Sequence, residues 1–319
     1  MIKPGSQWFD MDGNLIQAHG GGILYHNGIY YWYGENKNGK TIEAGRARYR
    51  VDALGVNCYS SRDLITWNCE GTVLKPVPKD PSHDLHPSKV IERPKVVYND
   101  RTGKYVMWMH VDTADYLYAR AGIAVSDSPT GPFEYIDSMR PNGWESRDLT
   151  VFKDDDGSAY LIYSSNDNGD GTFRSNGTLH ISLLTDDYLS QSGTFTHNFV
   201  KARREAPAIF KRNGRYYCVS SGCSGWDPNE AEYAISDSVL GPWEVKGNPC
   251  IGPENEKTFY SQSTFVLPLQ NKKDAFIFMA DRWIKEDLRD SRYVWLPIMW
   301  EGDRMKIAWR DEWDLSMFE

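Results

Sequence analysis

Five hairpins of one design recur along the chain, and their repetition constrains the fold more than any other feature. Each copy has a polar lead-in residue, a short apolar run, a tight turn and an aromatic-rich return run. The copies read HGGGILYHNGIYYWYGE from His19, ERPKVVYNDRTGKYVMWMH from Glu92, DLTVFKDDDGSAYLIYSS from Asp148, EAPAIFKRNGRYYCVSSG from Glu205 and QSTFVLPLQNKKDAFIFMADRW from Gln262. Their turns fall at Asn27-Gly28, Thr102-Gly103, Asp156-Gly157, Asn213-Gly214 and Asn271-Lys272. Asn-Gly and Asp-Gly between alternating apolar runs are strong hairpin signals. Successive turns lie 75, 54, 57 and 58 residues apart, a spacing that suits propeller blades. The lead-in always precedes its turn by 9 to 11 positions. In a radial fold the five lead-ins, His, Glu, Asp, Glu and Gln, would meet at one end of the axis.

Between the hairpins the chain carries a second pattern, as in AVSDSPTGPFEYID and AISDSVLGPWEVKG. A strand, a Gly-Pro turn and a closing aromatic fit an outer strand pair, which gives about four strands per repeat. The expected fold is all-β, a single five-bladed β-propeller over residues 1–319. The last strands, within SRYVWLPIMWEGDRMKIAWRDEW, are expected to complete the first blade beside the N-terminal SQWFDMDGNLIQ, because a closed ring removes open edges. The Pro- and His-rich segment 75–89 reads as a long loop able to overhang the channel mouth. Its His83 and His86 read as solvated polar residues rather than metal ligands.

Composition narrows the function. The net charge is −8, and the densest basic run, Arg46 to Arg50, is short, so a nucleic-acid partner is not expected. No apolar run reaches membrane-span length. MIKPGSQWFD lacks a signal-peptide core, so the chain is expected to be cytoplasmic unless a leader has been removed. Five cysteines without C-x-x-C spacing argue against a disulfide framework or zinc. Cys58 and Cys69 could pair across strands, but buried free thiols are expected. Twelve Trp and 19 Tyr suit both blade cores and the stacking of rings on sugars.

Three carboxylates at equivalent repeat positions, Glu92, Asp148 and Glu205, suit glycosidic hydrolysis, which needs an acid on one face and a base or nucleophile on the other. Carboxylates on different blades would stand more than about 6 Å apart, leaving room for a water and favouring inversion. Glu35, at the end of a return strand, could accept sugar hydroxyls. Asp154 to Asp156 read as a turn, and Asp187 and Asp237 as structural.

The runs DLTVFKDDDGSAY and EAPAIFKRNGRYY, with QAHGGGIL, WYGEN, ERPKVVYN, SGWDPN, YSQS and DRW, resemble glycoside hydrolase family 43, nearest its branch of exo-β-1,3-galactanases and related α-L-arabinofuranosidases. The resemblance covers essentially the whole chain. It implies Glu205 as general acid, Asp148 as its orienter, and Glu92 or Gln262 as the water-activating partner. It places Glu35 and Tyr116 in the sugar pocket and Cys223 near the substrate, and His19 and Trp226 complete the expected binding set. The chain departs from most of the family at Gln17-Ala18-His19-Gly20, where a carboxylate base is usual, and at Gln262, where a histidine is usual. No cofactor is required, although the family's central calcium is allowed. The expected activity is exo-acting, inverting removal of terminal α-L-arabinofuranose, with β-D-xylose as a second sugar. The alternatives are an exo-β-1,3-galactanase and a non-catalytic sugar-binding propeller.

Overall fold

A computed structural model describes residues 1–44, 48–167 and 173–318. The sequence's turn chemistry is realised: Asn27 and Gly28, and Asn213 and Gly214, all take left-handed backbone, as two-residue hairpin turns of the I′ type require. Each hairpin then extends outward into a twisted antiparallel sheet. The first blade comprises His19–His26, Ile29–Glu35, Val56–Ser61 and Asn68–Leu74. The second comprises Val90–Asn99, Lys104–Asp112, Arg120–Ser126 and Glu134–Met139. The third comprises Leu149–Lys153, Ala159–Asp167, Phe173–Leu184 and Gln191–Asn198. The fourth comprises Arg204–Arg212, Arg215–Gly222, Glu232–Ser236 and Glu244–Gly247. The fifth comprises Gln262–Pro268, Phe276–Arg282, Arg292–Glu301 and Arg304–Ala308, with Cys250–Ile251 added in parallel at its edge.

The first strand of each blade packs on the first strand of the next, and the fifth returns to the first, so the sheets close into a five-bladed propeller. Apolar side chains seal the gaps between blades. Tyr33, Val56 and Cys58 of the first blade meet Met107 and Met109 of the second, and Trp32 and Trp67 meet Tyr293 and Trp295 of the fifth. The long first repeat is explained by an extra ribbon, Ile42–Ala44 paired with Arg48–Arg50. Arg46 and Ala47 of the basic run lie outside the described residues. All five cysteines are free, and three of them, Cys58, Cys218 and Cys250, are buried.

Two expectations are corrected. The final strand stays in the fifth blade, paired with Arg292–Glu301, and the first blade builds all four of its strands from its own sequence. The ring is fastened instead by residues 2–8. Ile2 exchanges backbone hydrogen bonds with Trp313, Gly5 donates to the Tyr293 carbonyl, and Trp8 wedges against Trp32, Tyr293 and Trp295. The 75–89 segment does not overhang the axis. It folds outward onto the second blade's outer strand, where Asp84 accepts a hydrogen bond from the Tyr135 hydroxyl at 2.6 Å and His83 packs on the Tyr135 ring.

Candidate active site

The lead-in residues are aimed at the axis by a shared backbone device. In four blades the pairing of the first two strands slips at or just after the lead-in, at His19/Gly22, Glu92/Lys95 and Glu205/Ala208, and one residue later at Ser263/Phe265. Such bulges bend a strand and re-aim its side chains. The next residue is left-handed in three of them: Gly20 (φ 59°), Arg93 (φ 56°) and Ala206 (φ 52°). For Arg93 and Ala206 this conformation costs on the order of 1 kcal/mol each, a strain typical of functional sites. At Gly20 any side chain is excluded, since a Cβ would stand 2.3 Å from Glu35 Oε1.

Arg93 links the lead-ins. Its Nη2 donates to Gln262 Oε1 at 2.5 Å and lies 3.1 Å from Asp148 Oδ2, while Nη1 donates to the Ser263 carbonyl at 2.8 Å. Gln262 Oε1 also accepts from Trp283 Nε1 at 3.1 Å. On its other side Gln262 Nε2 donates to Ser221 Oγ at 3.0 Å and to Glu205 Oε1 at 3.3 Å. Glu92, Asp148, Glu205 and Gln262 therefore meet as the repeat predicts. The expected separation fails for one pair, because Glu92 and Asp148 each bring an oxygen within 4.8 Å of the other's. The Arg93 guanidinium beside them makes that approach tolerable.

Glu92 is held in one protonation state. Its Oε1 accepts from the Tyr116 hydroxyl at 2.7 Å, and its Oε2 pairs with His110 Nδ1 at 3.1 Å. His110 Nε2 in turn meets Asp112 Oδ2 at 2.9 Å, and Arg147 backs Asp112 at 3.4 Å. Burial opposes ionisation of Glu92, but the bond and charge of His110, with Lys37 and Tyr116, prevail and lower its pKa to about 2. Burial likewise opposes a charge on His110, yet Asp112 and Glu92 raise its pKa to about 9. Glu35 completes the pocket floor. It accepts from the Arg93 backbone N–H at 3.0 Å and pairs with the buried Lys37 at 2.6 Å. Burial holds Glu35 above the usual carboxylate range despite the pull of Lys37.

The His110 pair has a measurable consequence. A histidine whose pKa rises from 6.5 to about 9 on folding stabilises the fold fully below 6.5 and loses that contribution as pH climbs through 9. Lys95, lowered to about 7 by burial and then by Arg93, has the opposite slope between about 7 and 10.5, so the wild-type curve alone hides the effect. The difference between wild type and His110→Asn isolates it. Thermal unfolding should show a deficit on the order of 2 kcal/mol near pH 6 that shrinks towards pH 9. A deficit independent of pH would reject the charged His110–Glu92 pair.

The remaining predicted residues divide. Tyr116 and Glu35 join the site as expected. Trp226 is half-buried at its edge, packed edge-on against Trp283 with Lys37 6.0 Å from its ring. Cys223 neighbours Glu205, and burial with the Glu205 and Asp148 charges keeps its thiol protonated. His19 is a correction. It is fully buried beneath the site, stacked on Tyr293 and 3.5 Å from Asp281, and so has no surface for a sugar. Its recess follows from the glycines after it, which let blade five come close enough for Asp281 to accept the Gly20 N–H at 2.6 Å.

A central calcium does not fit. The axis holds the Lys95 amino group, which donates to the Gly20 carbonyl at 2.7 Å and to the Arg93 carbonyl at 3.4 Å. The burial and Arg93 charge that lower the Lys95 pKa also oppose a divalent ion there. Among the described residues one cluster, Glu92, His110 and Asp148, has metal-ligand spacing, but Arg93 and a doubly bonded His110 already engage it. The sequence reading missed Arg93, Lys95, Lys37 and His110. The available signal was a lysine and an arginine set in the apolar-flanked ERPKVVYN strand, a pattern that an exposed strand face shares.

The profile of glycosyl hydrolases family 43 matches residues 23–282. Among solved structures, a family 43 β-1,3-galactosidase with galactodeoxynojirimycin aligns with a TM-score of 0.89 at 41% identity, covering 98% of this chain and all of that one. The exo-β-1,3-galactanase of Phanerochaete chrysosporium, solved with galactose, aligns with a TM-score of 0.86 at 36% identity, covering 98% of this chain and 68% of that one. The β-D-galactofuranosidase xynD of Aspergillus niger is 24% identical over 268 residues, 79% of this chain and 73% of its own length.

Proposed function

The chain belongs to glycosyl hydrolase family 43 and is an inverting glycosidase, and from that premise we propose that it removes terminal β-1,3-linked galactose, as an exo-β-1,3-galactanase. One observation carries this reading. A solved structure that covers 98% of this chain and all of its own length is a family 43 β-1,3-galactosidase with galactodeoxynojirimycin, and the charged floor here is suited to such a ligand. Glu35, Lys37 and Glu92 offer fixed donors and acceptors to a hydroxyl-rich sugar end. Terminal α-L-arabinofuranose, the sugar expected first from the sequence, becomes the second reading.

In this proposal Glu205 protonates the leaving oxygen. Glu92, ionised and held by Tyr116 and His110, accepts sugar hydroxyls. A carboxylate with so low a pKa is a poor proton acceptor for water, since base strength follows pKa. Gln262 then holds the attacking water by hydrogen bonds from its amide, and the proton that water gives up on attack passes to bulk solvent while Glu205 gives its own to the leaving oxygen. Asp148 orients the acid side through Arg93.

A substrate panel tests the reading. Galactose release from β-1,3-galactobiose and β-1,3-galactan should exceed cleavage of nitrophenyl α-L-arabinofuranoside and β-D-xyloside by at least about 10²-fold in kcat/KM. A preference for the arabinofuranoside would overturn it.

A further inference from the structure

We propose that Arg93 is a positioning residue that locks the Gln262 side-chain amide into one of its two orientations, and that the lock is required for turnover. The inference goes beyond the activity and rests only on the site being catalytic. An amide can be turned over with almost no change in shape, so its direction is set by its partners. On one side of Gln262 stand Arg93 and Trp283, which have N–H donors and no acceptors. On the other side stand Glu205, whose carboxylate accepts, and Ser221. Turned over, Gln262 would set its NH₂ against the Arg93 N–H groups at 2.5 Å and its carbonyl against Glu205. The guanidinium, placed closest and charged, contributes most to excluding that state.

Arg93 is itself held from four directions. Its backbone N–H donates to Glu35 in blade one, and its carbonyl accepts from Lys95. Its side chain reaches Ser263 in blade five and Asp148 beside blade three. A left-handed bulge residue without a glycine is retained where its side chain has to point one way. A lysine could not serve the same sites, because a single ammonium lacks the planar fork that spans Ser263, Gln262 and Asp148.

Double-mutant kinetics test the proposal. Arg93→Ala should lower kcat by about 10²-fold with a smaller change in KM, because it moves a group rather than removing a sugar contact. Made in a Gln262→Ala background, the same substitution should cost no more than about threefold, since residues acting through one another are non-additive. Free guanidinium should restore part of the Arg93→Ala rate and none of the Gln262→Ala rate, and Arg93→Lys should stay impaired. If the Arg93→Ala loss persists in the Gln262→Ala background and disappears in Asp148→Asn, Arg93 acts through Asp148 and the proposal is overturned. A folded readout independent of Arg93 substitution is Trp283→Phe, which removes the other donor to Gln262. It should lower kcat less than Arg93→Ala does, and a loss as large as that of Arg93→Ala would overturn the assignment of the lock to Arg93.

Discussion

Glu205→Gln should abolish nearly all hydrolysis of natural substrate while leaving the propeller intact. The amide is the same size as the acid, and it can still accept from Gln262 Nε2, so the local hydrogen bond survives. What is lost is the proton. General acid catalysis contributes roughly 10²–10⁴-fold, and most when the leaving group is a sugar alkoxide that departs poorly unprotonated. Nitrophenyl glycosides need far less help. The loss on β-1,3-galactobiose should therefore exceed the loss on nitrophenyl β-galactoside by at least about tenfold. Equal losses on both, with unchanged circular dichroism and melting temperature, would sink the assignment of Glu205 as the acid.

Gln262→Ala and Glu92→Gly should fail in different ways. Gln262 joins Arg93, Trp283, Ser221 and Glu205, so its removal releases the acid and the water together. The expected effect is a fall in kcat of about 10²-fold or more. Glu92 is tied to Tyr116 and His110, and its pKa of about 2 makes it a weak base. Its removal should raise KM by loss of a contact made equally in ground and transition states, with kcat reduced much less. Azide distinguishes the cases. If Glu92 were the base of an inverting reaction, azide would enter the space left by Glu92→Gly and yield a glycosyl azide of inverted configuration. The absence of that product, together with the collapse of kcat in Gln262→Ala, is the expected result.

The fold was legible because its determinants are local. Asn27-Gly28 and Asn213-Gly214 specify hairpins through the backbone conformations they alone adopt cheaply, and alternating apolar residues specify which face is buried. Near-equal spacing of the lead-ins to the turns then placed Glu92, Asp148, Glu205 and Gln262 at one end of the axis, and the structure brings them together. Ring closure was not local. Whether the last strand completed blade one or blade five depended on whether blade one drew all four strands from its own repeat, which the last strand's own sequence does not reveal.

The site's charges were decided by tertiary structure alone. Lys95 and Arg93 sit in an apolar-flanked strand, and burying them is affordable only because carbonyls and carboxylates arrive from other blades: Gly20 for Lys95, and Asp148, Gln262 and Ser263 for Arg93. His19 shows the converse. At a lead-in position equivalent to the acids, it is drawn under the site by Asp281 and Tyr293, residues more than 260 positions away. The sequence by itself determined a ring of five hairpins and the positions at its mouth. Which of those positions face a sugar, which protonation states they keep and which way the Gln262 amide points were set only when distant strands met, because each depends on partners that chain proximity does not supply.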